Sequence, residues 1–242
     1  MNTVEAPIEK LPRALAVVVP AYNAGALVAG VIEALEPYVH RICLVDDGST
    51  DGCTDGLASE VTHVLTLPKN NGKGYALLKG YALLLADEAI ECIAVLDADG
   101  QHDEKDLPRL YAAFLKAQAD FLIGARDFDT GYVPFRSRVG NKVTKVISAF
   151  MLGARLPDTQ SGYRLISRRY LEQELEHIPG GRYETEMQMI AIAIRGEYTL
   201  ASEPIKTIYE EGNHSSHFNV LRDSFLIYRK LIMLWLSRLV GK

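Results

Sequence analysis

Through residue 126 the chain alternates short, continuous apolar runs with stretches whose apolar residues recur at helical spacing, and few folds accommodate that rhythm. The runs at 14–19, 41–45, 61–67, 92–96 and 121–124 have the length of strands and read as buried on both faces. Pro20 is expected to stop the first of them. Between the runs, residues 26–35, 75–89 and 107–117 carry helical patterns, the second with Leu77, Leu78, Tyr81, Leu84 and Leu85 on its inward side. Strands alternating with helices imply a mostly parallel sheet covered on both faces, with right-handed crossovers. Beyond Arg126 the rhythm changes. A helix is expected at 136–152, a loop leading into a strand at 158–166, a helix at 183–194 and a strand within 201–209. A polar loop at 210–217 precedes an amphipathic helix that runs from Asn219 to the end.

The polar clusters all follow predicted strands, which places them on one edge of the sheet. Pro20-Ala21-Tyr22-Asn23 follows the first strand, Asp46-Asp47-Gly48-Ser49 the second, Asn71-Gly72-Lys73-Gly74 the third and Asp97-Ala98-Asp99 the fourth. Singly, each is ordinary turn chemistry. Four in succession, two with carboxylates and one with a lysine, point to a ligand site at the carboxyl edge, where open α/β sheets bind ligands. If the chain stays extended past the fourth strand, Asp97, Asp99 and Gln101 share one side, because strand side chains alternate. Oxygen donors in that pattern suit a hard divalent cation, Mg²⁺ or Mn²⁺, that completes its shell with phosphate oxygens. The competing reading is a solvated turn and a helix cap at Asp103.

A nucleotide fits this edge. Asp47 can accept from a base N–H, Tyr22 can lie against the base ring, and Lys73 between glycines can approach phosphate or base. Neither a Walker loop nor a Gly-x-Gly-x-x-Gly follows the first strand, which argues against a mononucleotide P-loop and a dinucleotide cofactor. The formal net charge of −5 gives no argument for nucleic-acid binding. Cys43, Cys53 and Cys92 have no metal-ligand spacing, and the first and last of these sit in apolar runs as reduced, buried thiols. Residues 1–12 lack the apolar core of a signal peptide, and no stretch reaches the roughly 20 apolar residues that span a bilayer. A cytoplasmic protein, or one peripheral to the cytosolic membrane face, is expected.

The ordered set V-V-P-A-Y-N, V-D-D-G-S-T-D, N-N-G-K-G, L-D-A-D-G-Q-H, G-A-R and D-T-Q-S-G-Y-R, over about residues 14–210, resembles family 2 of the inverting glycosyltransferases. Within that family it is most similar to the dolichyl- or polyprenyl-phosphate mannosyl- and glucosyltransferase branch. The resemblance implies a GT-A fold, a nucleotide-diphospho-sugar donor and Mg²⁺ or Mn²⁺. It implies that Pro20, Ala21, Tyr22, Asn23, Asp47, Lys73, Asp97 and Ala98 line the nucleotide site, with Asp97, Asp99 and Gln101 at the metal. Related transferases often carry an acidic residue where Ala24 stands, and Arg or Lys in the loop that here reads Gly212-Asn213-His214-Ser215-Ser216-His217. His214 and His217 are therefore candidates to contact the diphosphate or metal, His217 being preferred.

Arg126, Arg136, Arg138 and Arg164 near an anionic nucleotide call for an anionic partner, which a lipid phosphate supplies. Ion pairs with Asp127, Asp129 or Asp158 are the alternative use of these arginines. A phosphomonoester, with its second pKa of about 6, is already a nucleophile at neutral pH. A hydroxyl acceptor needs a base instead, and Asp158 is the candidate, unless it orients the acceptor or pairs with Arg164. Catalytic roles thus fall on Asp99, Asp158 and Arg126. The domain reading is a transferase domain at 1–217, its nucleotide part about 14–126 and acceptor part about 127–217, then the helix at 218–242. That helix mixes Leu and Trp235 with Arg229, Lys230, Arg238 and Lys242, a pattern that fits a membrane interface, its own core or a homodimer contact. The expected activity is sugar transfer to a polyprenyl phosphate, with a glycan or glycolipid hydroxyl, or a nucleotide-sugar-binding module of little turnover, as alternatives.

Overall fold

The computed structural model describes residues 9–126, 157–206, 208 and 229. Seven strands form one sheet: β1 (Leu15–Ala21), β2 (Ile42–Asp46), β3 (Thr62–Thr66), β4 (Cys92–Val95), β5 (Phe121–Arg126), β6 (Arg164–Ser167) and β7 (Leu200–Ile205). Their order across the sheet is β3-β2-β1-β4-β6-β5-β7, and every pairing is parallel except those of β6 with β4 and β5. The expected mostly parallel sheet is therefore present. The direction of β6 matters for the site, because a reversed strand begins where its neighbours end. The loop at 157–163 consequently lies at the carboxyl edge, beside the end of β4, to whose Val95 Arg164 is paired.

Among the described residues five α-helices cover the sheet: α1 (Leu27–Leu35), α2 (Lys73–Leu85), α3 (Leu107–Ala117), α4 (Arg168–Glu174) and α5 (Glu184–Arg195). Alternate residues of each strand face opposite ways, which divides the core in two. Val18, Val45, Ile93 and Phe121 pack with Leu77, Tyr81, Tyr170 and Ile190 beneath α2, α4 and α5. Val17, Val19, Leu44 and Leu165 pack with Val28, Ile32, Leu110 and Phe114 beneath α1 and α3. Cys43 and Cys92 are buried strand residues, as expected, and burial pushes the Cys43 thiol up to about 12.

Two boundaries differ from expectation for identifiable reasons. Pro20 does not stop β1, which continues to Ala21. The Val17 N–H bonds to Arg41 on the β2 side, so by alternation Pro20 faces β4, whose ladder has already ended at Val18↔Val95. Its missing N–H deprives no rung. Helix α2 begins two residues early, at Lys73, and ends four early, where Arg168 donates to the carbonyls of Leu85, Asp87 and Ile90. Helix α4 was not anticipated, although its Ser167 cap, accepting from the Tyr170 N–H at 3.0 Å, is a recognisable start signal.

Gly80 lets α2 lie directly on the sheet. A Cβ there would stand 2.8 Å from Val18 Cγ1 and 3.0 Å from Val45 Cγ2, on two central strands that cannot retreat. Helix propensity favours alanine by about 1 kcal/mol, while overpacking costs about 1–3 kcal/mol. Gly80→Ala is therefore expected to lower the melting temperature by up to about 8 °C. A raised value in a thermal melt would contradict the close contact.

Candidate active site

The first two polar loops are laced to each other. The Asn23 N–H donates to Ser49 Oγ at 3.0 Å, Asn23 Oδ1 accepts from the Thr50 N–H at 2.8 Å, and Asp51 accepts from the Gly25 N–H at 3.0 Å. Asp46 accepts from the Ser49 N–H within its own turn at 2.8 Å. Most polar residues of these loops thus serve the loops themselves. Asp47 differs: its two oxygens accept the N–H groups of Asn71 and Gly72 at 2.9 and 2.7 Å, tying the second loop to the third. Burial, only partly offset by those bonds, holds its carboxyl above the usual range.

An open cleft runs along this edge, with about 150 Å³ of space for a ligand between its walls. The β1 loop contributes Pro20, Ala21, Tyr22 and Ala24; the β2 loop contributes Asp47. Asn70, Gly72 and Lys73 follow β3, and Asp97, Ala98 and Asp99 follow β4. The structure therefore gathers every residue expected at the nucleotide site except Asn23, which lies behind the wall as a loop tie. Arg182 and Tyr183, just before α5, close the far side.

Past Val95 the backbone does not stay extended: it turns at Ala98–Asp99, and Gly100 has φ +71°. The alternation that would align positions 97, 99 and 101 is therefore lost. Asp97 and Asp99 still reach the cleft, whereas Gln101 is not among its lining residues and donates its N–H to Asp99 Oδ1 at 3.1 Å. Asp103 caps the following turn by accepting from the Lys105 N–H at 3.1 Å, so the cap and the ligand readings hold for different carboxylates of the same stretch.

A chain of charges runs from the cleft wall, where Lys73 and Asp97 are partly exposed, to Glu186 and His102, which are buried. The Lys73 ammonium lies 2.7 Å from Asp97 Oδ1 and 3.2 Å from Glu186 Oε2. His102 Nε2 lies 3.6 Å from Asp97 Oδ2, its ring against Tyr163 at 5.2 Å between centroids. Burial works against both charges, but Lys73 and Asp97 outweigh it for each other, so the lysine pKa is raised and the aspartate's lowered. Among the described residues Asp99 has no salt bridge, and burial together with Asp97 raises its pKa against the weaker pull of His102 and Lys73. Gly162 gives Asp97 its room, since any Cβ there would collide with the Asp97 carboxylate.

Two aspartates of hard oxygen donors, one of them a poorly compensated anion, fit a divalent cation. Among the described residues no group of three His, Cys, Asp or Glu side chains could hold a metal. A cation here would therefore take at most Asp97 and Asp99 from these residues and need ligand and water oxygens besides, a mode Mg²⁺ favours.

The arginines separate into two roles. Arg126 ends β5 and pairs with Asp158, Nε to Oδ2 at 2.7 Å and Nη2 to Oδ1 at 3.2 Å. Asp158, with its side chain 0% exposed, also accepts the N–H groups of Arg126 and Gln160. Burial opposes its charge, but Arg126 and these bonds outweigh burial and depress its pKa. Arg164, expected near the acceptor phosphate, is 2% exposed and donates to the carbonyls of Ser161, Thr159 and Glu186. Its geometry is that of a brace between the 157–163 loop and α5. Arg136, Arg138, His214, His217 and, apart from Arg229, the expected C-terminal helix lie outside the described residues. Sequence reading missed His102, Arg182, Tyr183 and Glu186. The last three come from the start of α5, more than eighty residues beyond Asp97, and nothing local to Arg182-Tyr183-Glu184-Thr185-Glu186 marks them.

The family model of glycosyl transferase family 2 matches residues 16–175. The chain belongs to glycosyl transferase family 2. An uncharacterised protein of Methanocaldococcus jannaschii is 33% identical over 90% of each chain. The UDP-N-acetylglucosamine–dolichyl-phosphate N-acetylglucosaminyltransferase of Methanococcus voltae is 28% identical over 92% of this chain and 96% of its own. Among solved structures, glucosyl-3-phosphoglycerate synthase of Mycobacterium tuberculosis, in complex with Mn²⁺, UDP and glucosyl-3-phosphoglycerate, aligns with a TM-score of 0.69. That alignment covers 93% of this chain and 80% of the synthase at 20% identity, and it carries the fold, the GT-A arrangement expected from the sequence. This family 2 protein is a glycosyltransferase that draws on nucleotide sugars.

Proposed function

We propose that this glycosyltransferase is inverting and metal-dependent, and that it transfers a sugar from a nucleoside-diphosphate donor to a polyprenyl phosphate. The observation that carries the acceptor is the state of Asp158. A hydroxyl acceptor needs a base whose pKa lies near the working pH. Asp158 is enclosed, committed to Arg126 and depressed in pKa, which makes it a weak and inaccessible base. A phosphate acceptor needs none, and Arg126 suits its charge. Relatives add support: besides the dolichyl-phosphate enzyme, an undecaprenyl-phosphate mannosyltransferase of Micrococcus luteus is 27% identical over 70% of this chain and 72% of its own.

On this reading residues 14–126 hold the donor. Tyr22 and Asp47 face the base and Lys73 the diphosphate, while Asp97 and Asp99 hold Mg²⁺ or Mn²⁺, as the Mn²⁺–UDP complex of the structural neighbour supports. Bound there, the cation would neutralise charge developing on the departing diphosphate. Residues 127–217 form the acceptor part, with Arg136, Arg138 and His217 as further contacts. The acceptor phosphate oxygen attacks the anomeric carbon opposite the leaving group, the glycosidic bond to the nucleoside diphosphate breaks, and the configuration inverts. No described helix is long and apolar enough to cross a membrane, and the helix at 218–242 is assigned to the cytosolic lipid interface.

The test is a donor panel of UDP-N-acetylglucosamine, UDP-glucose and GDP-mannose with Mn²⁺, with and without a short polyprenyl phosphate. Glycolipid and free nucleoside diphosphate are expected in equal amounts, and only with the lipid phosphate. Transfer to a free sugar or glycolipid hydroxyl in its absence would overturn the acceptor assignment.

A further inference from the structure

We propose that Glu186 is a positioning residue of the donor site: it shares the Lys73 ammonium with Asp97 and so frees the Asp97 carboxylate for the donor's cation. The inference rests on the reading of Asp97 and Asp99 as the carboxylates that face the cation.

Three features of the charge chain support it. First, the ammonium already stands between two carboxylates, 2.7 Å from Asp97 and 3.2 Å from Glu186, so changing its allegiance takes only a small side-chain movement. Second, Glu186 is a fixed station. It is 6% exposed, and Arg164 Nη1 lies 3.5 Å from its carboxylate while donating to its carbonyl at 3.3 Å. Third, the backbone that carries Lys73 is locked to the backbone that carries Glu186. The Tyr75 N–H donates to the Gly181 carbonyl at 2.9 Å, and Gly74 packs against Thr185 so closely that a Cβ would collide with it. Both helices are therefore held while the four-carbon lysine stem remains able to shift.

A divalent cation and the Lys73 ammonium compete for the same carboxylate and repel each other. With Glu186 present, the ammonium retains a counter-charge when it gives up Asp97. Without that charge it keeps, among the described residues, Asp97 alone, and the cation must displace it. Glu186 thus acts through Lys73 and need not touch the donor.

The test is a double-mutant cycle on Mn²⁺ uptake in the presence of UDP, with free Mn²⁺ followed by electron paramagnetic resonance of the full chain. Glu186→Gln is expected to weaken Mn²⁺ binding about tenfold in the wild-type background and about twofold or less when Lys73 is methionine. Equal losses in both backgrounds, or no loss in either, would overturn the role of Glu186 while leaving the metal reading intact. If the wild-type chain takes up no Mn²⁺ with UDP, the metal reading fails and this inference fails with it. Should Glu186→Gln not fold, Glu186→Asp, which keeps the charge but withdraws it by one methylene, replaces it in the same cycle. Its loss is expected to vanish in the Lys73→Met background and would overturn the proposal if it persisted.

Discussion

Asp99→Asn is expected to lower turnover by about a hundred- to a thousandfold and to leave the melting temperature unchanged or higher. The magnitude is that of removing one preorganised electrostatic group from a reacting centre. The absence of a stability loss follows from where the charge sits. Burial and the neighbouring Asp97 both oppose ionisation of Asp99, so its pKa in the fold stands above the unfolded value. The folded chain then binds that proton more readily than the unfolded one. Stability falls as pH rises from the ordinary carboxylate range through the raised value, and the deficit persists above it. Asparagine removes the charge and keeps an oxygen for the Gln101 N–H. A residue that is costly to hold and still present is what a site selected for function predicts. Initial rates with saturating donor, paired with melts at pH 4 and pH 8, decide the matter. Turnover within about threefold of wild type would remove Asp99 from the reaction.

The same residue shows how far the sequence reaches. Apolar runs such as 14–19 and 92–96 located β1 and β4 to within a residue or two, because strands buried on both faces leave no polar position to blur them. Polar clusters after those strands located the cleft for the same reason. The geometry inside the clusters was less legible. A period of two predicts one side for positions 97, 99 and 101 only while the backbone is extended, and Gly100 at φ +71° ends that condition. Asn23 has the composition of a ligand contact, yet it holds Ser49 and Thr50. Glu186 and Arg182 could not be found at all from local pattern, since their meaning comes from α5 meeting α2 across more than a hundred residues. Reversal of β6 is equally non-local: a run of four residues looks the same in either direction, and only its place between β4 and β5 brings Asp158 to the carboxyl edge beside Arg126.

Asp158→Asn is expected to lower the melting temperature by about 6–12 °C, because Asp158 is fully buried and removing its charge from the pair with Arg126 costs about 3 kcal/mol. The pH dependence has a definite sign. Asp158 has a folded-state pKa below its unfolded value of about 3.9. Its contribution is therefore complete above that value and is lost as pH falls through the folded one, so the gap between wild type and variant should close on acidification below about pH 4. A gap that stays constant from pH 7 to pH 3 would mean that the carboxylate charge is not what the pair supplies. Adding Arg126→Met should recover part of the stability, since the arginine that loses its carboxylate is then removed as well. Activity should not return with it. The loss in Asp158→Asn belongs to the positioning of Arg126, so it should appear mainly as a raised KM for the lipid phosphate with turnover reduced about tenfold. A general base would behave otherwise: turnover would fall by about a hundredfold or more, KM would hold, and the acidic limb of the rate profile would disappear. Those two patterns separate a phosphate acceptor held by Arg126 from a hydroxyl deprotonated by Asp158.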